Sequence, residues 1–286
     1  MKESEHRIRR TYRHIEVRPI AAALGAEIHG VDVARPLEGE VVTEIRQAFL
    51  DHLVIFFRKQ KLTAQEQLAF AQRFGQPMEY PQLEGLPGCP LVTAVIKLPH
   101  ERVNFGGVWH SDTTYLARPP MASMLYAVEL PPSGGDTLFA NQYSAYETLS
   151  QGLQHTLTGL VGINTSTKAD VSRTREDRLR DSAAELKVLV GEHPVLRTHP
   201  ETGRVALFVN VAHTTQFKSW TEEESRPLLD YLFEHQVRPE ITCRFRWEPG
   251  SLALWDNRCT QHNPVNDYHG FKRVMHRVTL AGDTPS

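Results

Sequence analysis

Cysteine is scarce in this 286-residue chain: Cys89, Cys243 and Cys259 are an odd set, and no two form a C-x-x-C pair. That excludes a disulfide framework and a thiolate zinc knuckle, and it suits a reducing compartment, so a cytoplasmic location is expected. Charge of one sign is missing too, since 32 Lys and Arg against 34 Asp and Glu leave a formal net charge of −2. Such a balance favours neither nucleic acid nor an anionic membrane as a partner. No apolar run approaches the ~18–20 residues of a membrane span. The opening Met1-Lys2-Glu3-Ser4-Glu5-His6-Arg7 has no apolar stretch of the kind a secretory signal needs, so none is expected. Internal repeats and low-complexity linkers are also lacking. What is present, 40% hydrophobic and 23% charged residues, describes a soluble chain long enough for one deep core.

Residues 1–14 are polar and basic and read as a flexible tail, leaving 15–286 as a single domain. Apolar residues at helical spacing predict a helix ending near His52, and Leu53-Val54-Ile55-Phe56-Phe57 predicts a buried strand. Thr63-Ala64-Gln65-Glu66 is a capping box that starts a helix running to Phe74, which Gly75 ends. Thr221 to Glu224 starts a second capped helix to about His235. Strands are predicted around Val92, Met124, Leu138, Leu196, Leu207 and Phe245, at Leu252-Ala253-Leu254-Trp255, and over 271–280. Many short strands with helices gathered early and in excursions indicate a mostly β protein with some α: a double-stranded β-helix, or jelly roll, flanked by helices. Exposed helices and short edge strands leave a homo-oligomer open. Between 165 and 192 the chain turns polar and charge-dense, which reads as a solvated helix or as a lid-like insertion that excludes water from a site.

Trp109-His110-Ser111-Asp112 is the stretch around which the chemistry gathers. On an extended strand His110 and Asp112 would leave the same face, so an imidazole and a carboxylate could close on one ion. His262 lies 150 positions beyond Asp112, beside the buried strand ending at Trp255. Two His and one carboxylate on one face of a metal, with other positions open, is the arrangement of non-haem Fe(II) oxygenases. Eleven and fifteen residues after His262 come Arg273 and Arg277, which an alternating strand directs to one face with Met275. Two guanidiniums facing a metal need anionic partners, and two organic anions would supply them.

Together with Gly134-Gly135-Asp136-Thr137, Trp255-Asp256-Asn257-Arg258-x-Thr260-Gln261-His262 and Met275-His276-Arg277, that stretch closely resembles the taurine dioxygenase and 2,4-dichlorophenoxyacetate dioxygenase family of Fe(II)/2-oxoglutarate-dependent oxygenases. The resemblance spans 15–285, with the motifs in family order and spacing. It implies the jelly-roll fold, with His110, Asp112 and His262 as iron ligands and O2 as oxidant. It implies that Thr137 and Arg273 hold the far carboxylate of 2-oxoglutarate, which agrees with the way a guanidinium fork and a hydroxyl meet a carboxylate. Arg277 matches the arginine that faces the substrate anion. Asp112 stands where related halogenases have lost the carboxylate, so the resemblance implies hydroxylation of a small organic anion, with succinate and CO2 as products and loss of a substituent where the hydroxylated carbon bears one.

Two positions depart from taurine dioxygenase: Tyr80 stands where that enzyme has a sulfonate-contacting His, and His213 where it has an aromatic residue. Both fall in the expected substrate pocket, which leaves alkylsulfonates, sulfate esters, aryloxyalkanoates and carboxylates as candidate substrates. Two other classes use the same residues: a Zn(II)-dependent jelly-roll hydrolase or isomerase, and a metal-free binding module in which His110 and Asp112 hydrogen-bond each other. The Thr137/Arg273 pair argues against a hydrolase, which has no cosubstrate to clamp. Trp109 and Trp255 are expected as core supports and His199 as a turn residue. Asp256 and Asn257 are read as orienting or turn residues beside His262, and Arg258 is left without a role.

Overall fold

The computed structural model describes residues 11–80, 84–168 and 188–286. Its strands, in chain order, are β1 (Glu16–Pro19), β2 (Ala26–His29), β3 (Val54–Phe57), β4 (Pro77–Met78), β5 (Gly85–Leu86), β6 (Cys89–Lys97), β7 (Ala122–Glu129), β8 (Thr137–Asn141) and β9 (Val161–Thr165). They continue with β10 (Val190–Pro194), β11 (Leu196–Thr198), β12 (Val205–Leu207), β13 (Thr214–Phe217), β14 (Thr242–Phe245), β15 (Leu252–Asp256), β16 (Thr260–Pro264) and β17 (Arg273–Leu280). The major sheet runs β1-β2-β3-β15-β7-β17-β6-β5, with β4 on the end of β17. Facing it is a smaller sheet in which β8 lies between β14 and β16. These two sheets form the double-stranded β-helix expected from the sequence.

Each sheet has one face in the shared core, and side-chain alternation decides what that face offers. In β17 Arg273, Met275 and Arg277 are buried while Val274 and His276 are partly exposed, the predicted alternation. The register sets Arg277 opposite Leu125 of β7 and Thr93 of β6, and Trp255 of β15 opposite Ser123 of β7. Across the core, β8 and β16 pair with His262 opposite Phe139 and Pro264 opposite Thr137. Period-two alternation therefore puts Thr137, Phe139, His262 and Pro264 on one inner face. Phe56, Phe139, Phe245, Trp247, Trp255 and Met275 pack together between the sheets. Trp247 and Trp255 of this cluster also line a pocket.

The helices over Gly39–His52 and Ala64–Ala71 cover the outer face of the major sheet, while that over Glu222–His235 packs on β13. Gly39–His52 buries Val42, Ile45, Ala48 and Phe49 and ends on Leu53, whose φ of 66° makes it a left-handed cap, so the strand starts one residue later than predicted. Both capping boxes form, Thr63 with Glu66 and Thr221 with Glu224. The helix from Ala64 stops at Ala71, short of the expected Phe74, because the next amides bond three residues back: Arg73 N–H to Phe70 O and Phe74 N–H to Ala71 O. The expected lid falls within 165–192. There β9 and β10 pair from Thr165↔Val190 inward, and residues 169–187 lie outside the described ones. No described helix is long and apolar enough to cross a membrane.

All three cysteines are free and buried. Burial pushes the Cys243 thiol up to about 12 and raises those of Cys89 and Cys259 as well. Because the thiolate is the reactive form, a native sample at pH 8 should take up no aromatic disulfide reagent over an hour and three equivalents once unfolded in guanidinium. One fast equivalent in the native protein would contradict this packing.

Candidate active site

A backbone bridge brings His110 and His262 together: His110 N–H donates to His262 O at 3.1 Å, and His262 N–H to His110 O at 2.8 Å. Asp112 reaches the same point by a different route from the strand alternation expected of it. The chain leaves the bridge after His110 and turns through Asp112–Tyr115, with Thr113 at a φ of 43°. It is the turn that swings the carboxylate back under the two rings. Asp112 Oδ1 lies 3.6 Å from His110 Nε2 and 3.8 Å from His262 Nε2, too long for hydrogen bonds. The three donors lie within 4.8 Å of one another. Gly106, at a φ of +67°, lets the preceding loop pass this close, since a Cβ there would sit 2.7 Å from His110 Cε1.

This donor set fits a divalent metal. His110 Nδ1 donates to Val108 O at 2.7 Å, so its Nε2 presents a lone pair. Asp112 Oδ1 is buried with no hydrogen-bond partner among the described residues, while Oδ2 receives Ser123 Oγ at 2.7 Å and Arg277 Nη2 at 2.6 Å. Burial alone would favour a neutral Asp112. The Arg277 charge, helped by His262 and His110, outweighs burial and holds the carboxyl well below its usual range. Burial, then the neighbouring His110, keeps the His262 imidazole neutral against the pull of Asp112, as a ligand must be.

Behind this cluster a pocket runs between the sheets, lined by Val95, Phe105, Leu125, Trp255 and Pro264 as well as by the two His. Thr137 and Arg273 both line it. Arg273 is buried, and its Nε and Nη2 have no partner among the described residues. A buried guanidinium without an anion is costly, so the pocket is built for one. Trp247 Nε1 donates to Thr137 Oγ1 at 2.9 Å. Indole N–H can only donate, which leaves the Thr137 hydroxyl hydrogen free to point at the same anion.

Arg277 stands on the metal side of the pocket. Nε donates to Thr279 Oγ1 at 3.2 Å and Nη2 serves Asp112 and Ser123, so Nη1 is the nitrogen left to a ligand among the described residues. Its guanidinium carbon sits 4.5 Å over the Tyr80 ring, which meets Phe105 edge-on. His213 is buried edge-on against Tyr115, and burial followed by repulsion from His110 lowers its imidazole to about 3. It is therefore neutral, and it is not among the residues that line the pocket.

The chain matches the taurine catabolism dioxygenase TauD, TfdA family over residues 16–279. It belongs to this family. An alpha-ketoglutarate-dependent sulfate ester dioxygenase of Pseudomonas putida is 37% identical over 95% of the chain and 91% of its own length. An alkylsulfatase of Acinetobacter baylyi is 34% identical over 94% and 86%. Among solved structures, a taurine dioxygenase from Burkholderia xenovorans superposes with a TM-score of 0.82 at 39% identity, covering 96% of this chain and 91% of that one. As a member of the TauD/TfdA family the protein is an oxidoreductase, a dioxygenase dependent on Fe(II), 2-oxoglutarate and O2.

Several residues take places the sequence did not suggest. His199 does sit at a turn, accepting the Glu201 and Thr202 amides at Nδ1, but it is buried and its Nε2 donates to Asp256 at 3.1 Å. Arg258 acquires a role by forking onto Asp256 and reaching Glu201. His199, Asp256 and Cys259 are close enough to hold a metal, yet the Asp256 carboxylate is already taken by Arg258 and His199, so that group is structural. Trp109 is half-buried and not a core support, whereas Trp255 is one. Ser123 went unnoticed. The available signal was a lone hydroxyl in the apolar run Met121–Leu125, which burial obliges to find a partner.

Proposed function

We propose that His110, Asp112 and His262 hold the Fe(II), that Arg273 and Thr137 hold the far carboxylate of 2-oxoglutarate, and that the substrate is a small alkyl sulfate ester whose anion meets Arg277. The observation that carries this reading is a pair of complementary unpaired groups: an Asp112 oxygen without a hydrogen bond beside two imidazoles, and, in the adjoining pocket, an Arg273 whose Nε and Nη2 have no partner among the described residues although its guanidinium lies over the Trp247 and Tyr268 rings. When bound, Fe(II), 2-oxoglutarate and O2 supply oxidative decarboxylation to succinate and CO2 together with hydroxylation of a C–H bond. The residues of the chain do the rest. Val108 holds the His110 tautomer, Arg273 and Thr137 orient the cosubstrate, and Arg277 with Tyr80 and His213 orients the organic anion. Hydroxylation at the carbon bearing the sulfate oxygen gives a hydroxy sulfate whose C–O bond breaks to an aldehyde and sulfate.

Two features favour an alkyl sulfate over taurine. Val95, Phe105, Leu125 and Trp255 suit an alkyl chain, and no carboxylate is among the described lining residues to receive the taurine ammonium. The sulfate ester dioxygenase and the alkylsulfatase are the relatives whose names fit that chemistry. Three buried free thiols suit work in the cytoplasm.

The test is product stoichiometry with medium-chain alkyl sulfates, alkylsulfonates, taurine and aryloxyacetates, each with Fe(II), 2-oxoglutarate and O2. Equimolar sulfate and succinate from alkyl sulfates are expected. Arg273→Leu should raise the KM for 2-oxoglutarate about 100-fold, the equivalent of ~2–3 kcal/mol of charged hydrogen bonding, and leave that for the alkyl sulfate within a few-fold. Sulfate release without succinate would replace this reading with a hydrolase, and turnover of taurine alone would replace the substrate class.

A further inference from the structure

Ser123 is 11 positions from Asp112 and fully buried, and it connects three strands of the major sheet to the proposed metal ligand. Trp255 Nε1 donates to Asn257 Oδ1 at 2.9 Å, Asn257 Nδ2 donates to Ser123 Oγ at 3.1 Å, Arg277 Nη2 donates to the same oxygen at 2.9 Å, and Ser123 Oγ donates to Asp112 Oδ2 at 2.7 Å. The sense of this chain is forced. Indole, amide and guanidinium N–H groups can only donate, so the Ser123 hydroxyl must accept from Asn257 and Arg277, and its single hydrogen can go only to Asp112. The Trp255 contact also fixes which end of the Asn257 amide faces Ser123. With the 2.6 Å contact from Arg277 added, Oδ2 is fully engaged and Oδ1 is left bare.

A carboxylate can offer a cation one oxygen or both. We infer that Ser123 is a positioning residue that restricts Asp112 to one oxygen, keeping Oδ2 for the protein and aiming Oδ1 at the metal, with Asn257 holding Ser123 in the donating orientation. The inference rests on the reading of His110, Asp112 and His262 as the metal ligands. Arg277 cannot do this alone, because it approaches the same Oδ2 and has a ligand-facing nitrogen of its own. Ser123 is fully buried, so no solvent competes for its hydroxyl.

Mn(II) affinity and the visible spectrum of the Co(II)-loaded protein test it without turnover. Ser123→Ala should weaken Mn(II) binding about ten-fold and shift the Co(II) bands as the carboxylate turns. Ser123→Thr, which keeps the hydroxyl, should restore both towards wild type. Asn257→Ala should move both readouts in the Ser123→Ala direction by less, and it stands in for Ser123→Ala if that variant does not fold. A Ser123→Ala protein with wild-type Mn(II) affinity and an unchanged Co(II) spectrum, differing only in melting temperature, would overturn the inference while leaving the metal site intact. Wild-type protein that binds no Mn(II), or His110→Ala protein that binds it equally well, would overturn the metal-site reading and this inference with it.

Discussion

Asp112→Ala will lower succinate formation by at least ~1,000-fold, because changes made only behind a metal ligand already cost ~10–100-fold and this one removes a proposed ligand itself. The substitution acts twice. It takes away the bare Oδ1 between two imidazoles, and it removes the anion that Arg277 Nη2 contacts at 2.6 Å. Arg277 is buried, and there its charge faces Asp112 and the aromatic rings of Tyr80 and Trp255. Losing one member of such a pair costs ~3–5 kcal/mol in stability, so the metal-free variant should also melt below metal-free wild type. Metal retained after dialysis and single-turnover succinate are the two measurements. Activity above a hundredth of wild type, with metal still bound, would mean that Asp112 is not a ligand.

Arg258→Ala will have the largest effect on stability away from the pocket. Arg258 donates Nε to Asp256 Oδ1 at 2.8 Å and Nη2 to Oδ2 at 2.6 Å, while Nη1 reaches Glu201 Oε1 at 2.8 Å. Glu201 in turn takes Arg46 Nη2 at 2.6 Å, so the network connects the helix over Gly39–His52 to the loop that leads into β16 and His262. Asp256 is buried, and without Arg258 only His199 and backbone donors remain to it. The expected loss is ~3–5 kcal/mol, or roughly 6–10 °C at the scale of ~2 °C per kcal/mol for a chain of this size. Its pH dependence has a defined sign. Burial works against the Asp256 anion, but Arg258 and then His199 prevail and hold it below the usual carboxylate range. A depressed folded-state value contributes stability that is complete above the unfolded value of ~3.9 and fades as pH falls below it. The gap between variant and wild type in a melting series should therefore be full from neutral pH down to about 4 and narrow below that. A gap that widened on acidification would show that Asp256 is not held as the anion.

Local signals were readable because they are local in physics. Capping boxes and the alternation of β17 depend on residues within a turn or two of each other, and each is present. The alternation argument failed for His110 and Asp112 because it presumes continuous strand, and here the chain turns after a single bridge. The pairing of His199, Glu201 and Arg258 around Asp256 was invisible for another reason. Partners 57 positions apart meet only after β11 and β15 have been placed, and a charge pattern in sequence does not say which cation reaches which anion.

By itself the sequence determined the kind of chemistry. Donor types in His110, Asp112 and His262, two arginines on one strand face and a hydroxyl at Thr137 depend on residue identity and period, which a linear chain carries in full. Only the tertiary structure decided how those groups divide their bonds. It set Asp112 Oδ2 against Ser123 and Arg277, left Asp112 Oδ1 and the Nε and Nη2 of Arg273 without a partner among the described residues, and used all but one nitrogen of Arg277 within the protein. Hydrogen-bond allocation depends on distances between strands remote in sequence, and those distances exist only once the two sheets have closed on each other.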